Sequence, residues 1–148
     1  GNILKLIKVL TLIFLTISPV AFAHSGVKDQ NVKERMMVMK AMADNTKIIG
    51  QMLKKKTAFD VSEAKLALER LSSLSLETPT VFAVNATDPL SEAKPAIWDE
   101  FNEFIKLSLD LSETSKDLAA SVDTIDDLRP ALKRISLGCK SCHSKYRE

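Results

Sequence analysis

The sequence predicts an all-α fold, an antiparallel up-down-up-down four-helix bundle. Apolar residues recur with the helical period in four separate segments, and no segment shows the sustained two-residue alternation that is typical of β-strands. Most of the connections between these segments are short, and short connections favour antiparallel packing of consecutive helices.

The first 23 residues have the features of a secretory signal peptide. Lys5 and Lys8 precede an apolar run at residues 9–17, and Ala-Phe-Ala at 21–23 is a small-residue cleavage site. A membrane anchor is the alternative, but the unbroken apolar run is too short to span a bilayer comfortably. We therefore expect residues 1–23 to be removed on export, and residues 24–148 to form one domain.

The first two helices follow from the apolar pattern and from one capping residue. The first is predicted over 27–55. The second is predicted to begin at Asp60, a good N-cap, with Glu63 three residues on as in a capping box. It is expected to end near Glu77, because a proline follows two residues later, and 78–91 is expected to be a loop.

The last two helices each contain a proline close to their start. The third is predicted over 94–121, with Pro95 in its first turn, where a missing N–H costs nothing. The fourth is predicted to begin within 124–127 and to run to the C-terminus. Pro130 is compatible with this helix if Asp127 is the N-cap.

The charge balance excludes one class of partner. The chain has 21 Lys and Arg and 19 Asp and Glu, so removing Lys5 and Lys8 leaves a nearly neutral domain. A nucleic-acid partner is not expected, since phosphate binding needs a basic surplus. The run Lys54-Lys55-Lys56 is either a docking patch for an acidic partner or a solvated helix end. No acid–base pair or nucleophile suggests hydrolytic or transferase chemistry, so an enzyme is not expected.

The motif Cys139-Lys140-Ser141-Cys142-His143 is the C-x-x-C-H pattern of c-type haem attachment. Two thioethers must reach the two vinyl positions on one edge of the porphyrin, and the following histidine then lies under the iron. On a helix with about 100° per residue, the three side chains fall within an arc of roughly 100°. The motif predicts one covalently attached haem c.

The apolar stripe of the fourth helix places this haem inside the bundle. The stripe consists of Leu128, Leu132, Ile135, Cys139, Cys142 and Tyr146. Burying on the order of 500 Å² of porphyrin would contribute about 12 kcal/mol at about 25 cal/mol per Å². This is comparable with the whole stability of a domain, so the haem-free chain is expected to be poorly folded.

Three other roles for the two cysteines fit the sequence less well. A disulfide is common in exported proteins, but a bridge from Cys139 to Cys142 would close almost no loop and add little stability. A thioredoxin-like pair needs a βαβ setting that is missing here. A structural zinc site needs four ligands, and His24 is the only other histidine in the chain.

The iron has a second axial side, which a residue of another helix could occupy. The first helix carries a cluster of methionines, at Met36, Met37, Met39 and Met42. Met36 and Met39 share the core stripe, so either could approach the iron. A methionine opposite His143 would give a six-coordinate electron carrier with a raised potential. Alternatively the methionines fill gaps in the core, and one face of the iron stays open to small gases.

Three stretches of the sequence resemble the cytochrome c′ family, the class II c-type cytochromes. They are Gly138 to Arg147 at the C-terminus, Val32-Lys33-Glu34-Arg35 near the mature N-terminus, and Pro95-Ala96-Ile97-Trp98. The C-terminal position of the haem motif is specific, because ordinary small cytochromes c carry it near their beginning. The resemblance implies an antiparallel four-helix bundle in the bacterial periplasm, often a homodimer.

Carried over residue by residue, the resemblance assigns a role to each matching position. Cys139 and Cys142 match the thioether cysteines, and His143 matches the proximal ligand. Arg147, one helical turn after His143, matches a basic residue beside the proximal haem face. Arg35 matches an arginine close to the haem propionates, and its alternative is an exposed helix charge.

Met39 matches the distal position, where the family divides. Low-spin members use a methionine as sixth ligand and shuttle electrons to periplasmic redox partner proteins. High-spin members hold a non-ligating residue there and bind NO or CO. The segment 35–42 is more like the low-spin branch. The expectation is therefore electron transfer with His143 and Met39 as axial ligands, and the alternative is gas binding with Met39 as a steric lid.

Overall fold

A computed structural model describes residues 26–148, and the predicted signal peptide and His24 lie outside this range. The helices are α1 (Gln30–Leu53), α2 (Val61–Val81), the short α3 (Ala96–Asp99), α4 (Phe101–Ser121) and α5 (Leu128–Tyr146). The long helices contact one another in the ring order α1, α2, α4, α5, which confirms the predicted all-α four-helix bundle. Within residues 26–148 the only β-type pairing is one isolated antiparallel bridge, between Ala93 and Arg147.

Helix α1 begins and ends close to its predicted limits. The carboxylate of Asp29 caps it by accepting the N–H of Val32 at 3.0 Å. It ends at Leu53, just before Lys55 takes a left-handed backbone with φ of 57°. Its buried side carries Val32, Arg35, Val38, Met42, Ile49 and Met52. In the described part of the chain, no helix is long and apolar enough to cross a bilayer.

Helix α2 begins as predicted but does not end near Glu77. Asp60 is the N-cap and accepts the N–H of Glu63 at 2.9 Å, whereas the helix continues through Pro79 to Val81. Pro79 lacks only one N–H donor. The last turn is held by Phe82, the residue that follows the helix. Phe82 is buried, its N–H donates to the carbonyl of Thr78, and its own carbonyl accepts the indole N–H of Trp98 at 2.8 Å. Tertiary packing therefore outweighs the local cost of the proline.

The predicted third helix is broken in two, so the expectation of one continuous helix over 94–121 is wrong. Pro95 is the N-cap of α3 rather than a first-turn residue, and Glu100, with φ of −121° and ψ of 39°, separates α3 from α4. The carboxylate of Glu100 accepts the hydroxyl of Tyr146 at 2.9 Å. The break thus lies where α4 meets the last turn of α5.

Helices α2 and α4 are joined by small polar residues. The hydroxyl of Ser72 donates to the carbonyl of Ser112 at 2.8 Å, and the hydroxyl of Ser112 donates back to the carbonyl of Ser72 at 2.9 Å. Ser75 and Ser115 are fully buried, and each bonds a carbonyl of its own helix. Side chains of this size allow two helix backbones to approach closely without leaving buried polar groups unpaired.

Helix α5 begins at Leu128 as predicted, with Pro130 inside its first turn. The carboxylate of Asp127 accepts the N–H groups of Asp123 and Thr124 at 3.0 and 2.8 Å. These bonds cap a short 3₁₀ helix, Ile125–Asp127, that leads directly into α5. The proline is tolerated because no N–H is needed at that position.

Candidate haem site

A cavity of about 820 Å³ opens between α1 and α5. Helices α2, α3 and α4, Phe82 and the segment 90–93 also contribute to its wall, and most of the lining is apolar. A volume of this size is at the upper end of the range found for cofactor pockets. The α5 side chains on its wall are Leu132, Ser136, Cys139, Cys142, His143, Tyr146 and Arg147.

Cys139 and Cys142 both lie on the cavity wall and are half-buried. They are free cysteines, not a disulfide, and residues 26–148 hold no cluster of three or more His, Cys, Asp or Glu suited to a metal ion. Burial raises the pKa of the Cys142 thiol to about 11, and burial also raises the pKa of Cys139. At neutral pH both are therefore thiols facing an apolar space.

His143 lies at the mouth of the same cavity, in the last turn of α5, and remains partly exposed. Its pKa is lowered, first by partial burial and then by the positive charge of Arg147, while the carboxylate of Glu92 opposes the shift. A lowered pKa keeps the imidazole neutral at pH 7, which is the form that can bind a metal.

Arg147 is exposed and holds the end of the chain against the segment before α3. Its Nη2 and Nε both lie 2.6 Å from Oε2 of Glu92. Two backbone bonds reinforce this contact, from the N–H of Lys94 to the carbonyl of Tyr146 and from the N–H of Glu148 to the carbonyl of Glu92, both at 2.9 Å. The segment 90–93 is thereby fixed as one end of the cavity.

Arg35 is buried, with 2% of its surface exposed, so the alternative of an exposed helix charge is wrong. Its guanidinium carbon lies 5.3 Å from the ring centre of Phe82 and 4.9 Å from that of Trp98. Its Nη2 donates to the carbonyls of Val84 and Ala86 at 3.0 and 2.8 Å.

The same guanidinium leaves two donors, Nε and Nη1, without a partner among residues 26–148. Arg35 also lines the cavity. A buried cation with unpaired donors is costly unless an anionic group meets it. The cavity therefore fits a large apolar molecule that carries a carboxylate and reacts with two thiols, which describes haem.

Three of the four clustered methionines line the cavity, namely Met36, Met39 and Met42, whereas Met37 points outward with 50% of its surface exposed. The sulfur of Met42 accepts the hydroxyl of Thr78 at 3.9 Å. Met39 packs against both hydrophobic clusters of the domain, and Cys139 packs against one of them and Cys142 against the other. Met39 is therefore the methionine that shares a hydrophobic cluster with each of the two cysteines.

Two parts of the site were not predicted from the sequence. The segment 90–93 has no helical period, and nothing in its composition indicates that it forms a wall of the cavity. The contact between Glu100 and Tyr146 was also missed. The residue pattern puts Tyr146 on the core stripe but gives no partner for its hydroxyl, and Glu100 falls inside the predicted third helix.

Comparison with known proteins agrees with this geometry. The family model for cytochrome c′ matches residues 30–147. Cytochrome c-554 of Cereibacter sphaeroides is 32% identical over 81% of this chain and 94% of its own length. The structure of cytochrome c′ from Rhodopseudomonas palustris superposes with a TM-score of 0.75 and 24% identity, covering 82% of this chain and 98% of that one.

A further solved structure has a ligand in its name. The nitrosyl complex of a variant of cytochrome c prime from Alcaligenes xylosoxidans has a TM-score of 0.69 and 26% identity, covering 80% of this chain and 94% of that one.

The match to the family model runs from the first turn of α1 to the residue after α5 and takes in every wall of the cavity. This chain thus belongs to the cytochrome c′ family, whose cofactor is a single, covalently attached haem c.

Proposed function

We propose that this chain is an electron carrier of the bacterial periplasm. The haem supplies an iron that cycles between Fe(III) and Fe(II). The observation that carries the proposal is that one cavity is lined by Cys139, Cys142 and His143 from α5 and by Met39 from α1. The rest of the cavity wall is mainly apolar, which suits the large apolar macrocycle of a haem.

In this proposal Cys139 and Cys142 would hold the haem through two thioether bonds, and His143 would bind its iron. All three side chains project from the last two turns of one helix, whose end is fixed by the backbone bond from Lys94 to Tyr146. A histidine whose surroundings keep it neutral needs no deprotonation before it binds iron. The helix therefore presents the attachment points and the ligand as one rigid unit.

Met39 is the best second ligand of the three methionines that line the cavity. The thioether of Met42 is already engaged by Thr78. Met36 lies at the mouth of the cavity, on the same side of α1 as Lys47. The two residues are eleven positions apart, and eleven steps of about 100° end only about 20° from a whole number of turns. Met39 lies between Met36 and Met42 on the helix. It packs against the same two hydrophobic clusters that Cys139 and Cys142 contact.

The two arginines have separate roles in this proposal. Arg35, with its unpaired Nε and Nη1, would meet a propionate of the haem inside the cavity. Arg147 lies beside His143 and is paired with Glu92, so it orders the end of α5 next to the ligand.

The test compares two variants of the holoprotein, Met39→Ala and Met36→Ala. Wild type is expected to show a low-spin ferric spectrum with a methionine–iron charge-transfer band. Met39→Ala should lose that band, become high-spin and bind CO in the ferrous form, whereas Met36→Ala, one turn away on the same helix, should keep the wild-type spectrum. A low-spin spectrum that survives Met39→Ala would reject Met39 as the ligand.

The second candidate function is binding of NO or CO at a five-coordinate iron, with Met39 as a steric lid. The relative from Alcaligenes xylosoxidans that forms a nitrosyl complex favours it, at 26% identity. The same spectra separate the two functions. A high-spin wild-type protein that binds CO readily supports the gas site, and Met39→Ala should then speed CO binding without changing the ferric spectrum.

A further inference from the structure

The charges of the bundle are divided between its two sides. Helix α5 carries five basic residues and no acidic residue, and α1 carries four basic and two acidic residues. Helix α4 carries four acidic and two basic residues, and α2 three acidic and two basic. Because α1 neighbours α5 and α2 neighbours α4 in the ring of helices, a domain of nearly neutral charge has one basic and one more acidic side.

The basic side of α1 is a row of lysines along the cavity mouth. Lys33, Lys40, Lys47 and Lys54 are spaced seven residues apart, and the row drifts only about 20° around the helix with each step. Lys40, Lys47 and Lys54 line the cavity and are exposed. Asp44 pairs with Lys40 at 2.7 Å, whereas Lys47 and Lys54 form no ion pair with any residue of 26–148.

The basic side of α5 forms the opposite edge. Arg129, Lys133 and Lys140 are exposed and fall within an arc of about 40° at 100° per residue. On the same scale this arc borders Ser136 and His143, which line the cavity. Since α5 has no acidic residue, nothing on the helix itself compensates these three charges.

We infer that the cavity mouth, bordered by the α1 lysines and the α5 basic residues, is a docking surface for an acidic redox protein. The inference rests on the proposed function and adds the chemistry and orientation of the partner. Charges of one sign around a low-dielectric opening raise the association rate of a partner of opposite sign. The more acidic α2–α4 side repels such a partner, so the partner is directed to the cavity mouth.

The test follows reduction of the ferric holoprotein by reduced flavodoxin, a small and strongly acidic one-electron donor, in a stopped-flow instrument. The docking variant is Lys47→Glu/Lys54→Glu. The control is Arg70→Glu/Lys116→Glu, which changes net charge equally at exposed positions of α2 and α4. Ionic strength is varied from about 0.01 to 1 M, over which the Debye length falls from about 30 to about 3 Å.

The wild-type second-order rate constant is expected to fall by about tenfold or more across this range. At low ionic strength the docking variant should be about tenfold slower than wild type, and the control within about twofold of it. Equal slowing of both variants, or a rate that does not depend on salt, would overturn the inference.

Two further measurements separate the remaining outcomes. Exchange with an uncharged ferrocene mediator should be equal in all three proteins, and failure of all of them to exchange electrons would reject the proposed function itself. Normal exchange with an unaffected flavodoxin rate would reject only the docking surface. Binding of wild type, but not the docking variant, to phosphatidylserine-containing vesicles, with the flavodoxin rate unchanged, would overturn the inference in favour of an anionic membrane.

Discussion

The hydroxyl of Tyr146 donates a 2.9 Å hydrogen bond to Oε2 of Glu100, and so joins the end of α5 to the break between α3 and α4. The ring of Tyr146 is buried and meets that of Phe104 edge-on, with 5.6 Å between the ring centres. Cys142 and His143 lie in the same turn of the helix as Tyr146. This bond therefore fixes the backbone that carries the proposed haem attachment.

The first prediction concerns ionisation of Tyr146. Burial, followed by the hydrogen bond and the negative charge of Glu100, raises its pKa to about 12. A phenol with a raised folded-state pKa keeps its full contribution to stability below the unfolded value of about 10, and loses it as the pH rises towards 12. Because the chain contains a single tyrosine, the ¹³Cζ resonance of tyrosine-labelled holoprotein reports this pKa directly.

Two variants test the cause of that shift. Glu100→Gln should move the pKa of Tyr146 back towards 10, because the carboxylate charge is lost. Tyr146→Phe should lower the free energy of unfolding by about 1–2 kcal/mol at pH 7, through loss of one hydrogen bond to a charged group. A titration midpoint near 10 in the wild-type protein would show that the bond does not form.

The second prediction concerns Arg35 and the segment it holds. Arg35→Met keeps the length of the side chain but leaves the carbonyls of Val84 and Ala86 without their donor. We expect a loss of about 2–4 kcal/mol in urea unfolding of the holoprotein, since two bonds to a charged group are removed. Hydrogen exchange should speed up in residues 83–91, while the α2–α4 contact stays protected.

Arg35→Lys is the matched control for the charge. An ammonium keeps the charge but lacks the planar fork that reaches two carbonyls while stacking on Phe82 and Trp98. It should recover only part of the lost stability. Full recovery by lysine would mean that charge alone, and not the guanidinium geometry, holds this segment.

The sequence was sufficient for features that depend on local pattern. Asp60 was recognisable as a helix start because capping acts within three residues. Asp127 was recognisable because Pro130 has to lie in a first turn. The stripe of α5 was recognisable because its spacing matches the helical period. The helix through Pro79 and the break at Glu100 were not, since each is decided by contacts with residues far along the chain, Trp98 in one case and Tyr146 in the other.

The third prediction concerns Asp88, which ties the long connection before α3 to the start of α1. Its carboxylate accepts the N–H groups of Lys28 and Asp29 at 2.8 and 3.2 Å, and that of Leu90 at 3.0 Å. These bonds lower the pKa of Asp88. A carboxylate with a depressed folded-state pKa adds stability above its unfolded pKa of about 4, and this is lost as the pH falls through the folded value.

Asp88→Asn should therefore be less stable than wild type at pH 7, and the difference should shrink as the pH is lowered below about 4. The measurement is the urea midpoint of the two holoproteins across that range. Comparing variant with wild type at each pH cancels the acid sensitivity that both share. Asp126→Asn makes the same charge change on an exposed residue of the 3₁₀ turn, and a similar pH trend there would refute the role of the three N–H donors.

The last prediction concerns the chain without haem. The cavity separates α1 from α5, so these two helices lose the group that would fill the space between them. Helices α2 and α4 are joined instead by the reciprocal bonds of Ser72 and Ser112, which do not involve the cavity. Protein of the same sequence made where haem cannot be attached should thus melt with low cooperativity by circular dichroism. Its amide protons should exchange faster in α1 and α5 than in α2 and α4. Uniform protection with a native-like cooperative melt would show that the bundle packs without its cofactor, and the large apolar space would then need another explanation.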